Sequence, residues 1–432
     1  MKLNPDAAGM DGRRLERVTE HVQQRYIDAG RIAGCQVAVM RHGETAYFAS
    51  FGLADRERGR PVEDDTIWRI YSMTKPITGV ALMSLYERGH FQLDDPVHRF
   101  IPEWRDLKVS EPDGSGPGGT GGRRLVEPRR PMSVRDVMMH MSGLGYSAMR
   151  RRGAGSLPSA ERPAPMAEEL GNAEGAASLA DFGAAMDAPW TLETMTSYLA
   201  ERPLRFHPGT QWLYSVSTDV CARLVEIMSG KRFDEYLRQE IFDPLGMDDT
   251  GFTVPDGKVD RFAANYARNA GKELVLVEDP ERSGYRKERS FLSGGGGLVS
   301  TTADYVRFAQ MLCNGGELDG TRILGPKTVE LMSVNHLPGG GELREFAVPG
   351  AYGEVGFDGM GFGLTMAVGL GPARTGVIGS AGEYMWGGAA STIFWVDPAE
   401  SLVVVFMTQL MPSGTFNFRG QLKALVYPAI VS

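Results

Sequence analysis

Hydrophobic and polar positions change period several times along the chain, and each change marks an element. Over 12–29, Leu15, Val18, Val22 and Tyr26 recur every three or four residues among charges, which predicts an amphipathic helix closed by Gly30. Residues 35–40 are almost wholly apolar, Arg41-His42-Gly43-Glu44 makes a turn, and 45–51 returns, the pattern of a β-hairpin. From Ser72 the period becomes helical again, but Ile77, Val80, Ala81, Leu82, Met83 and Leu85 leave few polar sides, so this helix is expected to be buried. Shorter helical patterns follow from Ser133 to His140, over 191–199, and from Val220 to Met228 with Gly230 at the end. A helix over 302–312, strands over 390–396 and 402–408, and a last helix over about 416–427 complete the chain.

Two stretches break the pattern. Residues 110–122 hold six glycines and almost no apolar side chains, which predicts a flexible loop, and 145–190 is rich in Ala, Gly, Pro and Arg, which predicts a mobile lid. Residues 337–382 are glycine-dense and give no clear element. The strands therefore cluster near the two termini. The expected fold is of α/β class, α+β in type: one antiparallel sheet built from both ends of the chain and flanked by helices, with a mainly helical lobe inserted. The expected division is an α/β domain over 1–70 and 250–432 and a mainly helical domain over 71–249.

Composition narrows the function. The chain has 432 residues, 42% hydrophobic and 23% charged, enough to bury a large core. A net charge of −8 argues against nucleic acid as a partner. No apolar run approaches the ~20 residues that span a bilayer, so no membrane role is expected. The first residues lack an apolar signal core, which makes a cytoplasmic location the expectation. Cys35, Cys221 and Cys313 are odd in number and lie in apolar patterns, so they read as reduced core residues. The seven histidines form no ligand-spaced pair, and no metal or other cofactor is expected.

Candidate chemistry starts at Ser72-Met73-Thr74-Lys75. Three residues apart on a helix, the serine and lysine share one face, with the amine one turn from a hydroxyl at the helix N-terminus. A serine nucleophile can be activated by such a base without histidine. Alone, the pair reads better as an N-cap and a surface lysine. Tyr214, in the loop before the helix at Val220, reads either as a partly buried loop residue or as a phenol delivered to a pocket. His140, at a helix end, reads as a capping or core residue, and Ser293-Gly294-Gly295-Gly296-Gly297 permits close backbone approach.

Taken together, Ser72-Met73-Thr74-Lys75, Tyr214-Ser215-Val216 and Trp386-Gly387-Gly388 resemble the serine β-lactamase and penicillin-binding-protein superfamily in its class C-like branch. Within it the chain is most similar to the family VIII carboxylesterases. Val216 stands where the class C enzymes have asparagine, and Trp386 where they have lysine, so two groups that bind a β-lactam are absent. Trp-Gly-Gly is typical of the esterase branch, and a tryptophan at the pocket rim would suit uncharged esters. The resemblance implies Ser72 as nucleophile, with Lys75 and Tyr214 sharing the work of the base. It implies backbone N–H groups of Ser72 and Ala389 as the oxyanion hole, and Trp386, Gly387 and Gly388 against the substrate. The expected activity is hydrolysis of small, short-chain acyl esters through an acyl-enzyme, with weak β-lactam hydrolysis as a secondary activity. The alternatives are a β-lactamase or D-alanyl-peptidase, or an acyltransferase on the same scaffold. No Gly-x-Ser-x-Gly elbow competes for the nucleophile.

Overall fold

In this computed structural model, residues 2–113, 122–146 and 190–431 are described. The expected lid falls largely on 147–189, outside the described residues, as do 114–121 of the expected loop. The flanks of that loop pair with each other, Val109–Pro112 against Arg123–Val126.

The hairpin of the sequence pattern forms as β1 (Gly34–Arg41) and β2 (Glu44–Asp55). His42 and Gly43 both take positive φ, which lets two residues close the turn with the twist the strands need. An eight-stranded sheet grows from this pair. Its other strands are β3 (Arg60–Pro61), β4 (Met360–Phe362), β5 (Ala367–Gly369), β6 (Tyr384–Gly387), β7 (Ile393–Asp397) and β8 (Leu402–Thr408), in the order β4-β5-β6-β7-β8-β1-β2-β3. β8 pairs antiparallel with β1, so the C-terminal part of the chain closes on the N-terminal hairpin. The edge strand β4 and its neighbour β5 supply order to the glycine-dense stretch that showed no pattern. Three-residue strands are too short for alternation to show.

Every residue of β1, β7 and β8 is buried, so both faces of the sheet are covered. Paired residues share a face and successive residues alternate. Phe394 opposes Val405, while Phe406 opposes Ile393, so Phe394 and Phe406 point to opposite faces. Tyr305, from the helix Thr302–Cys313, packs on Phe394 at 5.1 Å, and Phe418, from the helix Phe418–Val426, packs on Phe406 at 4.7 Å. The N-terminal helix Gly12–Val22 packs beside that C-terminal helix.

Between the two groups of strands lies the helical part. The helix expected to be buried, Thr74–Glu87, has every residue from Thr74 to Leu85 buried. It packs against the helix Ser217–Ser229. Its start differs from the expectation: Tyr71–Met73 forms a 3₁₀ turn, and the α-helix proper begins at Thr74. Thr191 caps the helix Leu192–Ala200 through the Thr194 N–H. Among the described residues, no helix is long and apolar enough to cross a membrane.

Candidate active site

The turn carrying Ser72 is held from both sides. The short strand before it, Ile67–Arg69, pairs with Val299–Thr301, and the Ile70 N–H donates to Leu298 O at 3.1 Å. Tyr71 has φ of +42°, left-handed space that costs a non-glycine residue about 1–3 kcal/mol. That strained residue is followed by Ser72, which is 8% exposed, and then by Lys75, which is fully buried. Lys75 Nζ lies 3.2 Å from Ser72 Oγ and donates to Gly295 O at 2.6 Å. The same amine stands 4.4 Å from the centre of the Tyr214 ring.

Tyr214 arrives from the loop before the helix Ser217–Ser229 and is 6% exposed. Five aromatic rings fix it: His140 at 5.0 Å, Trp386 at 5.5 Å, Tyr146 at 5.9 Å, Tyr352 at 6.0 Å and, stacked, Trp212 at 6.2 Å. Its hydroxyl accepts a bond from Trp386 Nε1 at 3.4 Å. Burial pushes the phenol well above its usual pKa, opposed by hydrogen bonding to Ser72 and Trp386. Burial has the opposite effect on the amine, holding Lys75 down to about 8 while the charges of Asp219 and Glu354 pull it up. Near neutral pH the site therefore holds an intact phenol and an amine that loses its proton readily.

Asp219 carried no role in the sequence reading. It lies in the first turn of the helix that follows Tyr214 and is 2% exposed. It accepts from Ser293 Oγ at 2.6 Å and from the Gly295 N–H at 2.9 Å. Thr78 Oγ1 donates to Gly294 O at 2.8 Å. The glycine run is thereby strapped between the two helices, and its Gly295 carbonyl is aimed at Lys75. A Cβ on Gly295 would stand 2.8 Å from the Asp219 carboxylate, so the close approach inferred from the sequence is real. The helix also carries Arg223 and Glu226, so nothing in the sequence pattern sets Asp219 apart.

The strand β6 borders the Ser72 turn. A Cβ on Gly388 would meet Ile70 O at 2.4 Å, which is why this position takes glycine. Gly388→Ala is expected to push the strand end off the turn and cost about 1–3 kcal/mol, read from denaturant unfolding. Among the described residues, the Ala389 N–H donates to no acceptor. Trp386 departs from its expected place. It is fully buried, with Phe362 against it at 5.5 Å, and packs beneath Tyr214 rather than at a rim. All four residues of its strand are buried, so neither side of the strand faces water. Val216 places a buried apolar group at the N-cap of the helix Ser217–Ser229.

His140 keeps its core role. It is fully buried, with Nδ1 3.3 Å from Ser215 Oγ, and burial and the Lys75 charge hold it well below its usual pKa. Among the described residues, no group of three or more His, Cys, Asp or Glu side chains could hold a metal ion.

The chain that builds this site matches one known family over nearly its whole length. The Beta-lactamase family covers residues 16–427. The chain belongs to this family. The esterase EstB of Burkholderia gladioli is 32% identical over 428 residues, 95% of each chain. The monacolin J acid methylbutanoyltransferase of Aspergillus terreus is 27% identical over 389 residues, 86% of this chain and 84% of its own. EstCE1, a hydrolase with promiscuous acyltransferase activity, has a structure that superposes with a TM-score of 0.73 at 26% identity, over 98% of this chain and 99% of its own. The resemblance to the family VIII esterases is borne out by these matches, as is the β-lactamase-like fold. The chain is a serine hydrolase of this superfamily.

Proposed function

We propose that the protein is a carboxylesterase that hydrolyses short-chain acyl esters through an acyl-enzyme on Ser72. The observation that carries this reading is the buried contact of Lys75 Nζ with Ser72 Oγ at 3.2 Å, with the Tyr214 ring centre 4.4 Å from the same amine. An amine lowered to about 8 is neutral often enough at working pH to take the serine proton. Ser72 Oγ attacks the ester carbonyl as its proton passes to Lys75. The oxyanion is held by the N–H groups of Ser72 and Ala389, each worth ~10²–10³ in rate. The proton then passes from Lys75, by way of the Tyr214 hydroxyl, to the departing alkoxide. Water releases the acid by the same steps in reverse. With the buried Trp386 in place of a lysine, no cation at this position favours carboxylated substrates, so β-lactams are turned over weakly.

The reading is supported by the esterase EstB, which shares nearly the whole chain. A second reading, acyl transfer to an alcohol, is favoured by the likeness to the methylbutanoyltransferase and to EstCE1. It uses the same acyl-enzyme and changes only the acceptor. The test compares p-nitrophenyl acetate and butyrate with a chromogenic cephalosporin, then adds a primary alcohol. Fast ester cleavage with slow cephalosporin cleavage is expected. The reverse order makes the protein a β-lactamase, and ester formed in preference to acid makes it an acyltransferase.

Because attack needs the neutral amine, activity depends on pH in one direction. The value of kcat/KM for p-nitrophenyl butyrate is expected to rise as pH increases through about 8 and then level off. A limb at the ordinary lysine pKa, or a profile falling through this range, would remove Lys75 as the base.

A further inference from the structure

A cavity of about 350 Å³ lies beside the site, lined by Tyr352, Glu354, Ser391, Ser413, Phe416 and Arg419 among others. Four observations tie it to the reacting groups. The Tyr352 ring sits 6.0 Å from that of Tyr214. Ser391 closes the turn that contains Ala389, its N–H donating to Gly388 O at 2.8 Å. Glu354 Cβ is 3.4 Å from where a Cβ on Gly387 would stand. The charges of Glu354 and Lys75 also act on each other across the gap.

Among the described residues, Glu354 is the one acid of this cavity wall, and the mechanism does not use it. It is 8% exposed, so its carboxyl group must find donors or remain costly. Ser413 and Tyr352 hydrogen-bond to it, and they also bond to each other. Burial raises the pKa of this acid, and the bonds from Ser413 and Tyr352 and the charges of Lys75 and Arg419 oppose that rise. Two hydroxyl hydrogens serve three contacts, so the ionised carboxylate keeps acceptor capacity for a further donor. Arg419 does not fill it. Its Nη1 donates to the main-chain oxygen of Glu354 at 3.0 Å and its Nη2 to that of Trp386 at 2.9 Å, so the guanidinium is pinned to the backbone.

We infer that this cavity receives the alcohol part of the ester and that Glu354 sets its specificity, favouring a leaving group that carries a hydrogen-bond donor, hydroxyl or ammonium, over one without. A leaving group bearing a carboxylate meets a second acceptor and is disfavoured. The inference rests on the esterase reading. Glu354 touches the leaving group and not the reacting atoms, so it discriminates between esters without being the base.

The test compares ethyl butyrate with 2-hydroxyethyl, 2-(dimethylammonio)ethyl and carboxymethyl butyrate, in the wild-type protein and in Glu354→Gln. In the wild type, kcat/KM for the hydroxyethyl and ammonioethyl esters is expected to exceed that for the ethyl ester by about tenfold, with the carboxymethyl ester about tenfold below it. In Glu354→Gln these ratios shrink to about threefold or less. Each ratio is taken within one enzyme, so any change in Lys75 reactivity cancels. The hydroxyl and ammonium arms tell a neutral donor from a charged one. Ser413→Ala, which keeps the carboxylate and frees a further acceptor site, retains or widens the preference and serves if the first variant does not fold. No preference in the wild type, or ratios unchanged in Glu354→Gln, overturns the inference while leaving the esterase reading intact. Failure of the wild type on both ethyl and p-nitrophenyl butyrate overturns both.

Discussion

Ser72→Ala is expected to leave a folded protein whose turnover of p-nitrophenyl butyrate falls by ~10⁴-fold or more. The hydroxyl it removes bonds to Lys75, and Lys75 keeps its bond to Gly295 O, so folding loses only about 1 kcal/mol. In the proposed mechanism activity collapses because the acyl-enzyme has no oxygen on which to form. What remains is the rate the oxyanion donors and substrate binding give to attack by water. Circular dichroism and thermal unfolding near wild type, with kcat at the background, make the expected pair of results. Turnover within about tenfold of wild type would place the nucleophile elsewhere.

Tyr214→Phe is expected to lower kcat by ~10²–10⁴-fold. Phenylalanine keeps the ring that His140, Tyr146, Trp212, Tyr352 and Trp386 hold in place, so the pocket should keep its shape. In the proposed mechanism the lost hydroxyl hands the proton on to the leaving alkoxide. It also leaves Trp386 Nε1 without its acceptor, at about 1–3 kcal/mol. The two effects separate by leaving group. An ester of an acidic phenol needs little help to depart, so p-nitrophenyl butyrate should suffer less than ethyl butyrate. An equal loss on both would point to a structural role, and near-normal turnover of both would remove Tyr214 from the mechanism.

Where hydropathy has a period, the sequence shows the fold. The run from Leu402 to Met407 is apolar throughout because it sits mid-sheet with helices on both faces, and the strand extends over it to Thr408. The apolar residues spread round Ile77 to Leu85, broken only by Thr78, Gly79 and Ser84, likewise announce a helix with no exposed side. Ser72 and Lys75 are legible once Tyr214 and Trp386-Gly387-Gly388 are read with them, since their spacing alone also fits an N-cap and a surface lysine. Asp219 and Glu354 are not, since a buried acid and a surface acid look alike in a hydropathy pattern, and only tertiary contacts set them apart. Trp386 shows the same limit in reverse. Its residue type is visible in the chain, but Tyr384–Gly387 is buried on every side and lacks the alternation that would say which way the ring points.

The most direct test is to expose the protein to a fluorophosphonate ester and map the adduct by mass spectrometry. One adduct per chain is expected, on the peptide bearing Ser72, with esterase activity lost in proportion and no adduct in Ser72→Ala. An adduct on another residue, or full labelling of Ser72 with hydrolysis of p-nitrophenyl butyrate intact, would contradict an acyl-enzyme at Ser72.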